Sequence, residues 1–203
     1  MALPASDDFE GSGSVVELTT YSSNWTRSNG TIAIHPGGYI YSFAVNQHQY
    51  PWNADSFDAD QYSEVVVKTP GSGAGWVGAG TRMASLTGYG FYADYTDMRL
   101  LRFTGAGAAS ILSSSTTNSI AGNTHRIESE GSTHTCYIEG SITGAPSAQT
   151  DATYASANPA GLCGSGLATT ISVESWAAGN LGGAAVGGVF PPPIRAHIHN
   201  LRR

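Results

Sequence analysis

Two short stretches of this 203-residue chain set aromatic rings beside carboxylates and amides: Tyr50, Trp52, Asn53 and Asp55, and then Tyr92, Asp94, Tyr95 and Asp97. That combination suits a sugar, because a flat ring packs on the C–H face of a pyranose while Asp and Asn bond its hydroxyls. The plainer use of the same residues is structural, with Tyr and Trp closing a core at strand ends. Both clusters are candidate carbohydrate-binding residues.

Other groupings are weaker. Glu128 and Glu130 share one face of an extended segment, as a glycosidase carboxylate pair would, but no third acid joins them and a solvated strand face explains them. No catalytic residue is assigned. Asp55, Asp58, Asp60 and Glu64 are dense but lack the turn glycine of an EF-hand loop, so no cofactor is expected, a structural calcium at a loop rim being the one ion left open. His197 and His199 could meet a metal around a symmetry axis, yet packing or pairing with acids accounts for them and no metal ligand is assigned. Glycine-rich runs precede strands rather than helix N-termini, which excludes a phosphate cradle. Cys136 and Cys163 lie in strand-like segments without a nearby histidine at nucleophile spacing. Two buried free thiols are expected rather than a disulfide, since a reducing cytosol disfavours bridges.

The elements that must position these residues are strands. From Asp60 to Phe103, three runs rich in Val, Tyr, Phe and Leu are separated by glycine-containing turns, the pattern of consecutive antiparallel strands. Within Ser63 to Thr69, Glu64, Val66 and Lys68 alternate with Val65 and Val67, so one face turns inward. Thr31 to Val45 reads as a hairpin, with Ile32 and Ile34 before the turn His35-Pro36-Gly37-Gly38 and Tyr39, Tyr41 and Phe43 alternating after it. Asn46 to Asp60 reads as a polar, aromatic loop. Later strands are expected at Ala108 to Ser114, Thr124 to Glu130, Thr133 to Gly140, Gly161 to Gly166 and Thr170 to Trp176. In the last, Ile171, Val173 and Ser175 oppose Ser172, Glu174 and Trp176.

Charged residues make up 12% of the chain and glycine reaches 26, a balance that suits an all-β sandwich and not a helical bundle. The formal net charge is −6 and Lys68 is the sole lysine, which argues against nucleic-acid binding. Residues 1–194 hold fifteen acids against six bases, and the last nine positions hold Arg195, Arg202 and Arg203 with no acid. No run approaches the roughly 20 apolar residues of a membrane span, and no signal peptide is visible at the start. Composition shifts near Leu181 into a Gly-rich linker and the Pro191-Pro192-Pro193 step. The expected division is a sandwich over 1–181 and a basic arm over 182–203.

Asp7-Asp8-Phe9-Glu10-Gly11, Asn24-Trp25-Thr26, Asp60 to Glu64, Gly78 to Met83 and Gly88 to Phe91 run in an order that resembles a concanavalin A-like, laminin G-like jelly-roll domain. His125 to Glu128, Tyr137 to Gly140, Asp151, Gly161-Leu162 and Trp176 continue the resemblance, which spans about residues 7–181. Each motif alone is weak and the order carries the signal. Compact domains of this kind look similar to virion proteins of tailed bacteriophages. The resemblance therefore implies a non-enzymatic virion component, made in a host cytoplasm and decorating a capsid as a homo-oligomer. Phe190, Pro191, Pro192, Pro193, Ile194, Arg195, His197, His199, Arg202 and Arg203 would form the arm that binds neighbouring capsid subunits. The alternative is a lectin-like carbohydrate-binding module of a phage tail or cell surface, with a secreted glucan-processing module third.

Overall fold

The computed structural model describes residues 4–11, 13–43, 47–69, 75–93, 97–105 and 108–182. Fifteen strands are present among them: β1 Ala5–Asp7, β2 Val16–Glu17, β3 Ile32–His35, β4 Tyr39–Phe43, β5 His48–Pro51, β6 Gln61–Thr69, β7 Trp76–Ala84 and β8 Thr87–Ala93. They continue with β9 Met98–Gly105, β10 Ala108–Ser115, β11 Thr124–Glu130, β12 Thr133–Ile138, β13 Gln149–Thr150, β14 Gly161–Ser165 and β15 Leu167–Asn180. One helical turn, α1 Leu18–Tyr21, follows β2. The fold is all-β, as the composition implies.

Two antiparallel sheets face each other. The nine-stranded sheet runs β13-β12-β11-β6-β15-β4-β3-β2, with β1 pairing β15, and the six-stranded sheet runs β10-β9-β8-β7-β14-β5. The expected meander from Asp60 to Phe103 is divided between them. β7, β8 and β9 pair in succession, but β6 crosses to the other sheet, between β11 and β15. The reason lies in β6 itself. Gln61, Ser63, Val65 and Val67 are buried while Tyr62, Glu64 and Val66 are only half-buried, a one-sided strand for a sheet with one face toward solvent. β7 is buried on both faces along almost its whole length.

The β3–β4 hairpin forms as expected. The Gly38 N–H donates to the His35 carbonyl at 3.0 Å, and Gly38 takes φ 72, the left-handed position that closes a three-residue loop. Two expectations shift. His48–Pro51, read as loop, is an edge strand whose outer side is bonded by Thr26, Ser28 and Asn29. Thr170–Trp176 is part of a fourteen-residue strand at the centre of the nine-stranded sheet. A bulge between Val173 and Ser175 reverses the parity there, so Val173 and Trp176 both enter the core although they lie an odd number of residues apart.

The core between the sheets contains Phe9, Ile32, Ile34, Ile40, Val65, Tyr89, Phe91, Leu100, Ile127 and Leu162, closed at one end by three indoles. Trp25 lies edge-on to Trp52 at 5.0 Å and to Trp176 at 4.8 Å. Each ring N–H is satisfied: Trp25 donates to Asp7, Trp52 to Asp55, and Trp176 to Ser63 Oγ and the Gly161 carbonyl. Such rings stabilise through both area and geometry, provided their polar atoms are paired. Burial raises the Asp7 carboxyl, and the bonds from Trp25 and the Phe9 N–H oppose the rise.

Candidate functional site

The first aromatic cluster expected from sequence turns out to be interior. Tyr50 is fully buried, its hydroxyl donating to Glu17 at 3.0 Å and accepting from the Ile32 N–H at 3.1 Å. Trp52 is 6% exposed within the indole group and uses Asp55 as its acceptor. Asn53 is exposed and donates to Thr26 Oγ1 at 2.6 Å. In the second cluster Tyr92 is 3% exposed and stacks face to face on Trp76 at 3.9 Å, while Asp97 accepts from Arg99 at 2.6 Å. Asp94 and Tyr95 lie outside the described residues. The rings of Tyr50, Trp52 and Tyr92 therefore offer no free face to a sugar, and the two clusters do not converge: Tyr50 points between the sheets and Tyr92 points away from them.

Polar groupings that resemble catalytic ones also resolve into packing. Thr81, Ser129, His134 and Asp151 form a chain of bonds. Ser129 Oγ lies 2.9 Å from His134 Nδ1, and His134 Nε2 lies 3.0 Å from the Asp151 carbonyl, which makes Nε2 the protonated nitrogen. The serine and histidine are fully buried, and the third partner is a backbone oxygen, so no nucleophile meets solvent. The Asp151 carboxylate bonds Arg102, Tyr89 and the Thr153 N–H instead. Burial would raise its pKa, but the Thr153 and Tyr89 bonds and the Arg102 charge prevail and hold it at about 2.

Glu128 is tied to Arg126 at 2.6 Å while Glu130 stands exposed at the β11–β12 turn, so the two do not act as a pair. The acids weighed for calcium are dispersed: Asp55 serves Trp52, Asp60 accepts from the Gly131 N–H, and Glu64 pairs with Arg126. Among the described residues no three His, Cys, Asp or Glu side chains come together. Cys136 and Cys163 are both buried and free. Cys136 belongs to the core and Cys163 to a second apolar cluster on the outer side of the six-stranded sheet.

The surface best equipped to receive a ligand is the outer face of the nine-stranded sheet. On β4, Ile40 and Ser42 turn inward, which sends Tyr39, Tyr41 and Phe43 outward. His35, paired with Tyr39 across the hairpin, stacks on it at 4.4 Å with an interplanar angle of 12°. The Gly37 N–H donates to His35 Nδ1 and holds the imidazole in that plane. Tyr39 and Tyr41 lie 6.4 Å apart, and Tyr41 and Phe43 5.8 Å, so four rings form a ribbon. Tyr41 is seated over the small Ala33 opposite it and is only 5% exposed, so it braces the ribbon without offering a face, whereas Phe43 is 50% exposed. Burial and then Tyr39 raise the Tyr41 hydroxyl, which stays a neutral donor.

Beside the ribbon, Lys68 and Glu174 pair at 3.2 Å with both side chains at least one-third exposed. Further along the same face, Arg126 lies 3.7 Å above the Tyr62 ring and bonds Glu128 and Glu64. Tyr62 can lie flat because a side chain on Gly179 would come within 2.9 Å of it. Burial raises Glu64, with Arg126 opposing, and burial together with Glu128 pushes Tyr137 up to about 12. The ribbon residues were visible in the sequence as a two-residue alternation. Nothing in that alternation said the rings, rather than the isoleucines, would face out.

No family model matches the chain, and no curated protein sequence matches it. Solved structures do. A carbohydrate-binding module, CBM66 from Bacillus subtilis, superposes with TM-score 0.56 at 19% identity, covering 77% of this chain and 92% of its own. The exoplasmic/lumenal domain of VIP36 in a form bound to Ca2+ and Man3GlcNAc gives TM-score 0.56 at 11% identity, covering 86% and 91%. A GH43 protein, BlXynB from Bacillus licheniformis, gives 0.59 at 11% identity, and this chain spans 39% of that protein. At these identities the likeness establishes the fold alone: a two-sheet antiparallel jelly-roll sandwich, as the ordered motifs imply.

Proposed function

We propose that this protein is a non-catalytic carbohydrate-binding sandwich whose ligand lies on the outer face of the nine-stranded sheet. The observation that carries the reading is the ribbon of His35, Tyr39, Tyr41 and Phe43 beside the half-exposed Lys68–Glu174 pair. The half-buried His35 and Tyr39 and the exposed Phe43 supply stacking area, braced by the buried Tyr41 between them, and a Lys with a Glu supplies donors and acceptors for hydroxyls. The likeness in fold to a carbohydrate-binding module and to a domain bound to Man3GlcNAc supports the class. The capsid-decoration expectation came from the resemblance to phage virion domains and from the arm; Phe190 to Arg203 lie outside the described residues, and no observation favours it.

A glycan array followed by calorimetry tests the proposal. Wild-type protein should bind at least one polysaccharide or oligosaccharide. Phe43→Ala should weaken that binding by about tenfold, in keeping with 1–2 kcal/mol for an aromatic contact, and Glu174→Gln by less. An array without signal, or affinity indifferent to both Phe43→Ala and Tyr39→Ala, would refute it.

A further inference from the structure

β10 ends the six-stranded sheet, and among the described strands it pairs with β9 alone. The other sheet ends are short or covered. Those of the nine-stranded sheet are the two-residue strands β2 and β13, and β5 is bonded on its outer side by Thr26, Ser28 and Asn29. Among the described residues no backbone bond closes the outer side of β10 from Ala109 to Ser115. Such a row of N–H and C=O groups is a template for another strand, and proteins blunt it with charge, proline, a bulge or a covering loop. β10 reads AASILSSS, without charge or proline. A bulge at Leu112 bends it: Leu112 packs against the core, while Ile111, opposite Leu101, is 56% exposed. The nearby loop meets it through side chains, Ser113 Oγ to Ser147 Oγ at 2.8 Å and Ser115 Oγ to the Gly144 carbonyl at 2.6 Å, and leaves the ladder groups open.

We propose that this edge pairs antiparallel with β10 of a second copy of the chain, joining two six-stranded sheets across a two-fold axis. The charge pattern selects that partner. The chain carries a formal net charge of −6, so two copies repel wherever their acids meet. Residues 103–124 contain no Asp, Glu, Lys, Arg or His, and neither do residues 140–150. The two stretches meet in space, with Thr117 Oγ1 3.1 Å from where Gly144 would carry a Cβ. Three of the five large apolar side chains exposed among the described residues, Ile111, Ile120 and Ile142, lie on them. A two-fold contact sets a surface against itself, and this uncharged rim meets its copy without like-charge repulsion. The charges of an unrelated partner would find no complement here. A ladder of this length is a small interface, for which micromolar association is expected. This proposal is independent of the glycan reading, which concerns the outer face of the nine-stranded sheet.

Sedimentation equilibrium of the full chain, from low to high micromolar concentration, tests the pairing. The mass should rise from one chain to two. Ile111→Asp and Ile111→Lys, both at an exposed position, should each weaken association by about tenfold or more. An equal mixture of the two variants should regain it, because opposite charges then replace like ones near the axis. A wild-type chain that stays monomeric throughout, or a dimer indifferent to both substitutions, overturns the proposal. Should either variant fail to fold, amide hydrogen exchange of the wild type decides. Protection at residues 109–115 that grows with protein concentration supports the pairing, and protection independent of concentration refutes it.

Discussion

Tyr50 illustrates how a ring among carboxylates can be structural. Its hydroxyl links Glu17 to the Ile32 N–H inside the sandwich, and burial followed by the Glu17 contact raises its pKa far above the ordinary phenol. Tyr50→Phe leaves a buried N–H without a partner and should lower stability by about 1–3 kcal/mol in urea unfolding, with glycan affinity unchanged. Loss of glycan binding in that variant would return the site to the first cluster. Gly90 makes the opposite point, that a missing side chain can be essential. Gly90→Ala drives a methyl into Cys163 and Phe103, and about 1–3 kcal/mol of overpacking should appear as a lower thermal midpoint.

At the scale of elements, β11 and β12 bring buried histidines to serine partners: His125 to Ser119 at 3.2 Å and His134 to Ser129 at 2.9 Å. Burial pushes His125 down to about 4 and also lowers His134. The folded state thus holds both imidazoles neutral. Above about pH 6.5 both states are neutral and nothing is lost; as pH falls below that value the unfolded chain takes up protons the folded one refuses. Stability should therefore decline from about pH 6.5 toward 4, with roughly 2 kcal/mol lost by pH 5 from His125 alone. Urea midpoints between pH 7 and 5 read this directly, and His125→Gln should flatten the slope; a flat wild-type profile would contradict it. Asp151, held at about 2, adds a second loss only below about pH 4, as its carboxylate is protonated.

For the molecule as a whole, the two sheets have outer faces of different character. One exposes rings and ion pairs, and the other buries an apolar floor. Arg82 ties the ends of the sandwich. Fully buried at φ 51, it bonds the carbonyls of Ala59 and Tyr154 from β7. Arg82→Met should remove those bonds and lower stability by about 2–4 kcal/mol without changing the fold, as circular dichroism would show.

By itself the sequence determined the class of fold, the hairpin at His35 to Gly38, most strands, the inward set of β11 and the lack of a phosphate or EF-hand motif. These follow from short-range chemistry, namely turn residues and a period of two. What only the tertiary structure decided was which of two faces each strand buries. A period of two defines a pair of faces and is silent on their destination, so Tyr50 and Trp52 went inside while Tyr39, Tyr41 and Phe43 went out. The crossing of β6 to the other sheet and the bulge that turns Trp176 into the core depend on contacts with strands distant in the chain. Local spacing holds no record of such contacts.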